Sequence, residues 1–209
     1  MSGRHYALDI YNVLVLKFPG ARTFLLHDNP FQLLVATILS AQCTDARVNL
    51  VTPKLFKQFP DAPAFANADE DDIQQAIKSI NFFRNKAKNI KKMAQSLIEN
   101  HNAVVPNRLS DLTALSGVGR KTANVVLGQA FDQPGITVDT HVRRLTRRMG
   151  FTKNNDPVKI EHDLMKLWPK EIWTPFSSVL ILHGRTTCKS QNPRCNVCEV
   201  AQFCPKIGV

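Results

Sequence analysis

The 209-residue chain has no apolar run long enough to cross a bilayer. Its N-terminal stretch MSGRHYALDIYNVLVLKFPG lacks the small-residue cleavage site of a secretory signal. Asp9, Asn12 and Lys17 interrupt its apolar centre, so it reads as an amphipathic helix. Cytoplasmic residence is the expectation from these absences. Sustained alternation of apolar and polar residues is missing as well, which argues against half-buried strands. No long-period repeat and no low-complexity tract occurs. Acid is in the minority, with 17 Asp and Glu against 27 Lys and Arg and a formal net charge of +10. That excess of base is consistent with a polyanionic partner without identifying one.

What is present is globular in composition, 44% hydrophobic and 21% charged, at a length that suits one domain or two small ones. Apolar residues recur at helical spacing: Tyr6, Ile10, Val13 and Leu14; Leu33, Leu34, Ile38 and Leu39; Ala87, Ile90, Met93, Ala94, Leu97 and Ile98; Ala123, Val126, Leu127 and Ala130; Ile160, Leu164, Leu167 and Trp168. Breaks fall at Pro19-Gly20, Asn29-Pro30, Pro60 to Pro63, Pro106, Gly117 to Gly119, Pro134-Gly135 and Gly150. The fold class expected is all-α. Asp69, Glu70, Asp71 and Asp72 open a helix, where carboxylates complement the dipole. Bases gather in Arg84, Lys86, Lys88, Lys91 and Lys92, and again in Arg143, Arg144, Arg147 and Arg148, whose spacing places them on one side of a helix. Either face could simply be solvated; together they suggest a phosphate-backbone footprint.

The stretch LSGVGRKTANVV, residues 115–126, raises the sharpest question. It reads as a tight hairpin at Gly117-Val118-Gly119 leading into a helix from about Arg120. Glycines let another backbone approach, and first-turn amides face outward, so this is anion-binding architecture. A Walker A loop needs Gly directly before the lysine, where Arg120 stands, and a dinucleotide fingerprint needs a third Gly, where Thr122 stands. Lys121 itself is misplaced at the positive end of a helix. It either meets a phosphate or is meant to lose its proton easily beside Arg120. Asp139 precedes THVRRLTRRMG and makes a good N-cap.

Four of the five cysteines, Cys188, Cys195, Cys198 and Cys204, crowd into the last 22 residues without a secretory signal. Such crowding reads as metal ligation more than as disulfides. Four thiolates suit Zn²⁺ as well as iron, although intervals of six, two and five are unlike the paired C-x2-C knuckles of zinc ribbons. Cys43 stands apart as a small buried hydrophobe.

Three ordered motifs, LSGVGRKTANVVL, then VDTHVRRL at 138–145, then C-x6-C-x2-C-x5-C, resemble those of the bacterial endonuclease III family in the helix-hairpin-helix DNA glycosylase superfamily. The resemblance runs from about FQLLVATILSAQCTD to the last cysteine. It implies a bifunctional DNA glycosylase and abasic-site lyase of base excision repair, which excises oxidised pyrimidines and nicks the strand. Lys121 matches the nucleophile and Asp139 the essential carboxylate. An amine can attack C1′ and leave a Schiff base that permits β-elimination, which water or an alcohol could not do. The cysteines match a [4Fe-4S] loop of structural role that carries Lys189 and Arg194 towards a phosphate backbone.

The partner implied is double-stranded DNA containing damaged bases or abasic sites, met by a monomer associated with the nucleoid and not with a membrane. Gln42, in SAQCTD, would fill the gap left by the flipped nucleotide, and Ile80-Asn81-Phe82 would wedge at the opposite strand. Further DNA contacts are expected from Gly117, Val118, Gly119, Arg120, His141 and Arg144. Asn81 stands where the family has glycine, Phe82 where it has leucine and Ser116 where it has proline. Asn tolerates positive φ, so the turn at Asn81 should survive. Core packing is the competing reading for Phe82 and Phe83, and Trp168 and Trp173 are assigned to the core. The resemblance further implies two helical lobes with a cleft between them, residues 23–133 with the hairpin and 1–22 plus 134–209 with the cluster loop (188–204). Two rivals remain: a monofunctional adenine or mismatch glycosylase, against which Lys121 argues, and a non-enzymatic helix-hairpin-helix DNA-binding module, which would form no covalent adduct.

Overall fold

A computed structural model describes the backbone of residues 3–209 and the side chains from Tyr6 onward; Met1 and Ser2, the start of the expected first helix, lie outside the described residues. The described chain is all-helical, as expected. Its α-helices are α1 (Gly3–Lys17), α2 (Pro30–Ser40), α3 (Asp45–Gln58), α4 (Ala62–Asn67), α5 (Glu70–Ala76), α6 (Phe83–His101), α7 (Leu109–Ala114), α8 (Arg120–Ala130), α9 (Thr140–Arg148), α10 (Pro157–Met165) and α11 (Lys170–Thr186). A short 3-10 turn, Cys195–Val197, follows. Among the described residues no helix is long and apolar enough to cross a membrane.

The chain divides into two compact units, one contiguous (Phe24–Asp132) and one assembled from Met1–Thr23 and Gln133–Val209. In the contiguous unit α2 is the central element, buried from Leu33 to Leu39. Asn29 starts it by accepting the Gln32 amide at 2.9 Å, with Pro30 at the first helical position, where its missing N–H costs nothing. Thr44 and Asp61 cap α3 and α4 in the same way. Helix α6 is amphipathic: Ala87, Ile90, Met93, Ala94 and Leu97 face the core, where α4 and α5 pack against it. Helix α8 lies on α2 and buries Ala123, Val126 and Leu127.

The second unit closes around α11, flanked by α1 and α9. Ala7, Ile10 and Leu14 form the buried stripe of α1. Trp168 stacks on Phe176 with centroids 3.9 Å apart and meets Phe151 edge-on at 5.0 Å, an arrangement that aromatic quadrupoles favour. Trp173 is half-buried and donates its indole N–H to the Trp168 carbonyl at 3.0 Å. Residues 135–138 run extended, held by Thr174 at Gly135 and Ser177 at Thr137. That anchoring fixes the approach to α9.

Candidate functional site

The glycine hairpin joins α7 to α8, as the spacing predicts. Gly117 has φ +77°, and a Cβ there would stand 2.9 Å from Asn89 Cβ, so both conformation and contact demand glycine. Ser116, in place of the family's proline, donates to Asn89 Oδ1 at 3.1 Å and ties the hairpin to α6. Val118 turns its side chain into the core and gives its amide to the Leu115 carbonyl at 3.1 Å. Its amide is therefore spent within the turn, and the part left to face an anion is Gly117, Gly119 and the first turn of α8. That helix opens at Gly119 with no side-chain cap. Lys121 is exposed there, beside a half-buried Arg120.

A second feature of this unit pairs the loop after α2 with the start of α6. Gln42 is exposed with φ +53°, and Phe82, the N-cap of α6, is 61% exposed with φ +58°. The left-handed conformation expected at Asn81 therefore falls on Phe82 instead. Asn81 uses its side chain as a strut, Nδ2 donating to the Gln42 carbonyl at 2.7 Å. Ile80 is buried, and Phe83 packs partly into the core beneath Arg84, whose guanidinium lies 4.9 Å from the ring centroid. Of the two phenylalanines only Phe82 stands clear of the core.

The basic faces are thinner than the sequence suggests. Lys86 is buried, with Nζ donating to the Leu39 and Ala41 carbonyls at 2.8 and 2.6 Å, and Lys91 reaches the Ala68 carbonyl at 2.7 Å. Arg84, Lys88 and Lys92 stay exposed. The arginine row of α9 splits likewise: Arg143 and Arg147 face outward, whereas Arg144 and Arg148 turn to the cysteine loop. Arg144 Nη2 donates to the Gly184 and Cys188 carbonyls at 3.1 and 2.9 Å, which ties this part of its head to the protein. The reason is helical period, since positions four apart share one line along the helix.

Asp139 begins α9 as the N-cap, Oδ1 accepting the Val142 amide at 2.8 Å. His141 is half-buried beside Gly184, with Nδ1 3.2 Å from Arg144 Nη2. Burial is the main cause lowering the His141 pKa. Lys121 belongs to the contiguous unit and Asp139 to the other.

All four C-terminal cysteines are free thiols lining one small cavity together with Arg148, His183 and Val200. Arg148 Nη1 points at Cys188 Sγ (3.4 Å) and His183 Nε2 at Cys198 Sγ (3.5 Å). Burial pushes the Cys198 and Cys204 thiols up and, with Lys17 as the next cause, His183 down to about 4. Among the described residues no three potential ligands gather tightly enough to surround one metal ion. Four thiols lining one cavity are a donor set that suits iron and zinc alike. Arg148 further clamps the carbonyls of Lys189 and Ser190 at 2.7 and 3.0 Å, and Lys17 bridges Glu199 and the Thr187 hydroxyl. Lys189 and Arg194 project from this loop into solvent.

A family model described as "HhH-GPD superfamily base excision DNA repair protein" matches residues 35–170. Endonuclease III of Synechocystis sp. is 51% identical over 205 residues, 98% of this chain and 94% of the relative. The chain belongs to the endonuclease III family. It is accordingly a DNA glycosylase and abasic-site lyase of base excision repair. The solved non-covalent endonuclease III–DNA complex superposes with a TM-score of 0.94 at 41% identity, covering 99% of this chain and 97% of that one. A trapped endonuclease III–DNA covalent intermediate gives the same values.

Several residues that build this site were not singled out from the sequence. Asn89 seats the hairpin, Lys86 holds the Gln42 loop, and Arg148 and Lys17 hold the cysteine loop. A signal existed for Lys86, because a lysine in the first turn of α6 is as misplaced electrostatically as Lys121 in α8.

Proposed function

We propose that this endonuclease III excises oxidised pyrimidines from duplex DNA with Lys121 as nucleophile. The observation that carries this reading is Lys121 exposed in an uncapped first helical turn directly after the Gly117–Gly119 hairpin. The hairpin and the first-turn amides hold a backbone phosphate beside the damaged nucleotide. The Lys121 amine bonds to C1′ as the glycosidic bond breaks, and the base departs with the bonding pair. Opening of the sugar gives a Schiff base; removal of a C2′ proton then expels the 3′-phosphate and nicks the strand. Asp139, oriented by its cap bond to the Val142 amide, steadies the positive charge that develops on the sugar. The structure of a trapped covalent intermediate of a relative supports this chemistry.

Gln42 fills the space vacated by the flipped nucleotide, and Phe82 wedges at the opposite strand. Cys188, Cys195, Cys198 and Cys204 would hold a [4Fe-4S] group, which supplies a structural cross-link. The loop it orders presents Lys189 and Arg194 to phosphate.

Borohydride trapping on a duplex containing one thymine glycol tests the reading. Wild type should give a covalent adduct and strand cleavage, and Lys121→Gln neither. Strand cleavage surviving in Lys121→Gln would overturn the nucleophile assignment. Excision by wild type without any adduct would point to a monofunctional glycosylase.

A further inference from the structure

Lys86 sits where an ammonium is doubly disfavoured. It is 6% exposed, and it lies in the first turn of α6, at the positive end of the helix dipole. Burial lowers its pKa from the ordinary lysine value. The compensation is specific: Nζ donates to the carbonyls of Leu39 and Ala41, the last turn of α2 and the residue just before Gln42. The backbone amide of the same lysine bonds to the Phe82 carbonyl at 3.1 Å. One residue is thus tied through its ammonium to the loop of Gln42 and through its amide to Phe82.

Both of those residues adopt left-handed conformations, which non-glycine residues hold only when their surroundings over-determine them. Asn81 adds a second tie by donating to the Gln42 carbonyl. We propose that Lys86 is a positioning residue that locks the Gln42 loop and the Phe82 turn into one rigid frame, so that the two side chains enter the DNA stack in register. The inference rests on the gap-filling reading above. It assigns Lys86 no contact with DNA. Its donors act on the protein's own carbonyls before DNA arrives.

The test uses the full chain and two oligonucleotides with an abasic site, one duplex and one single-stranded. A single strand offers no stack to fill, so trapping on it reports the lysine chemistry without gap filling. Lys86→Met, similar in length but without donors, should lower trapping on the duplex about tenfold relative to the single strand. Lys86→Arg should restore most of that ratio. With 2-aminopurine opposite a stable abasic analogue, Lys86→Met should also blunt the fluorescence rise on binding. Adding Gln42→Ala to Lys86→Met should cost little more, as coupled residues require.

A parallel loss on both substrates would make Lys86 a stabilising group only, and an unchanged ratio would leave it no role; either result overturns the proposal. If Lys86→Met does not fold, Lys86→Gln, which keeps one donor group, carries the same comparison. Failure of wild type to form an adduct on either oligonucleotide would instead sink the lyase reading beneath the proposal.

Discussion

Gly117 and Phe82 both adopt positive φ, and they should respond in opposite ways to substitution. Gly117→Ala adds a Cβ at 2.9 Å from Asn89 Cβ in a left-handed residue, a change that should cost about 1–3 kcal/mol of stability, measurable by urea unfolding. Phe82→Gly relieves a left-handed residue whose ring packs against little, and should stabilise the free protein by roughly 1 kcal/mol while weakening excision from duplex DNA. A variant both less stable and equally active would contradict the trade. Asp163 accepts from Thr152 Oγ1 at 2.6 Å and Asn154 Nδ2 at 2.7 Å, and these bonds hold its carboxyl below the usual value. A depressed carboxyl contributes stability above its unfolded value of about 4, and that contribution fades as pH falls through the folded one. Asp163→Asn should therefore cost about 1 kcal/mol at pH 7 and almost nothing near pH 2, read from urea midpoints at the two values. Single-residue conformations were the least legible feature of the sequence. Asparagine tolerates positive φ better than phenylalanine, so propensity points to Asn81, whereas the left-handed residue is Phe82 and the Asn81 side chain donates to the Gln42 carbonyl.

Among elements, α9 and α11 come closest at Gly184, where a Cβ would stand 2.8 Å from His141 Nδ1 and 3.2 Å from Arg144 Nη2. Gly184→Ala should force the helices apart, cost about 1–3 kcal/mol, and loosen the Arg144 grip on the Cys188 carbonyl. Faster bleaching of the visible iron-sulfur absorbance than in wild type would show it; an unchanged rate would mean that Arg144 does not support the loop. The start of α9 was readable because Asp139 accepts an amide from its own first turn, a local rule that Asn29, Asp61 and Asp156 also follow in the structure. Which line of a basic helix faces inward was not readable. Lys86, Arg144 and Arg148 point to carbonyls contributed by distant segments, and charge pattern alone does not encode such partners.

For the molecule as a whole, a net charge of +10 makes DNA binding depend steeply on salt, with log K falling nearly linearly against log salt. Lys189→Ala should reduce that slope by about one counterion without altering lesion preference, measured by fluorescence anisotropy across a salt series. Removal of the proposed iron-sulfur group should raise hydrogen exchange in α1, α9 and α11 while leaving α2 and α6 protected, because the cysteine loop belongs to a single unit with its own core. The two-unit architecture has one further consequence, for synthesis. Residues 24–132 are contiguous and can complete their core as they leave the ribosome, whereas α1 emerges before them and needs α11, which emerges after them. At ribosomal speeds the apolar stripe of α1 waits roughly ten seconds or more without its partner. The proposed cluster ligands, Cys188 to Cys204, follow α11 directly, so filling of the cysteine loop would coincide with the closing of that second core.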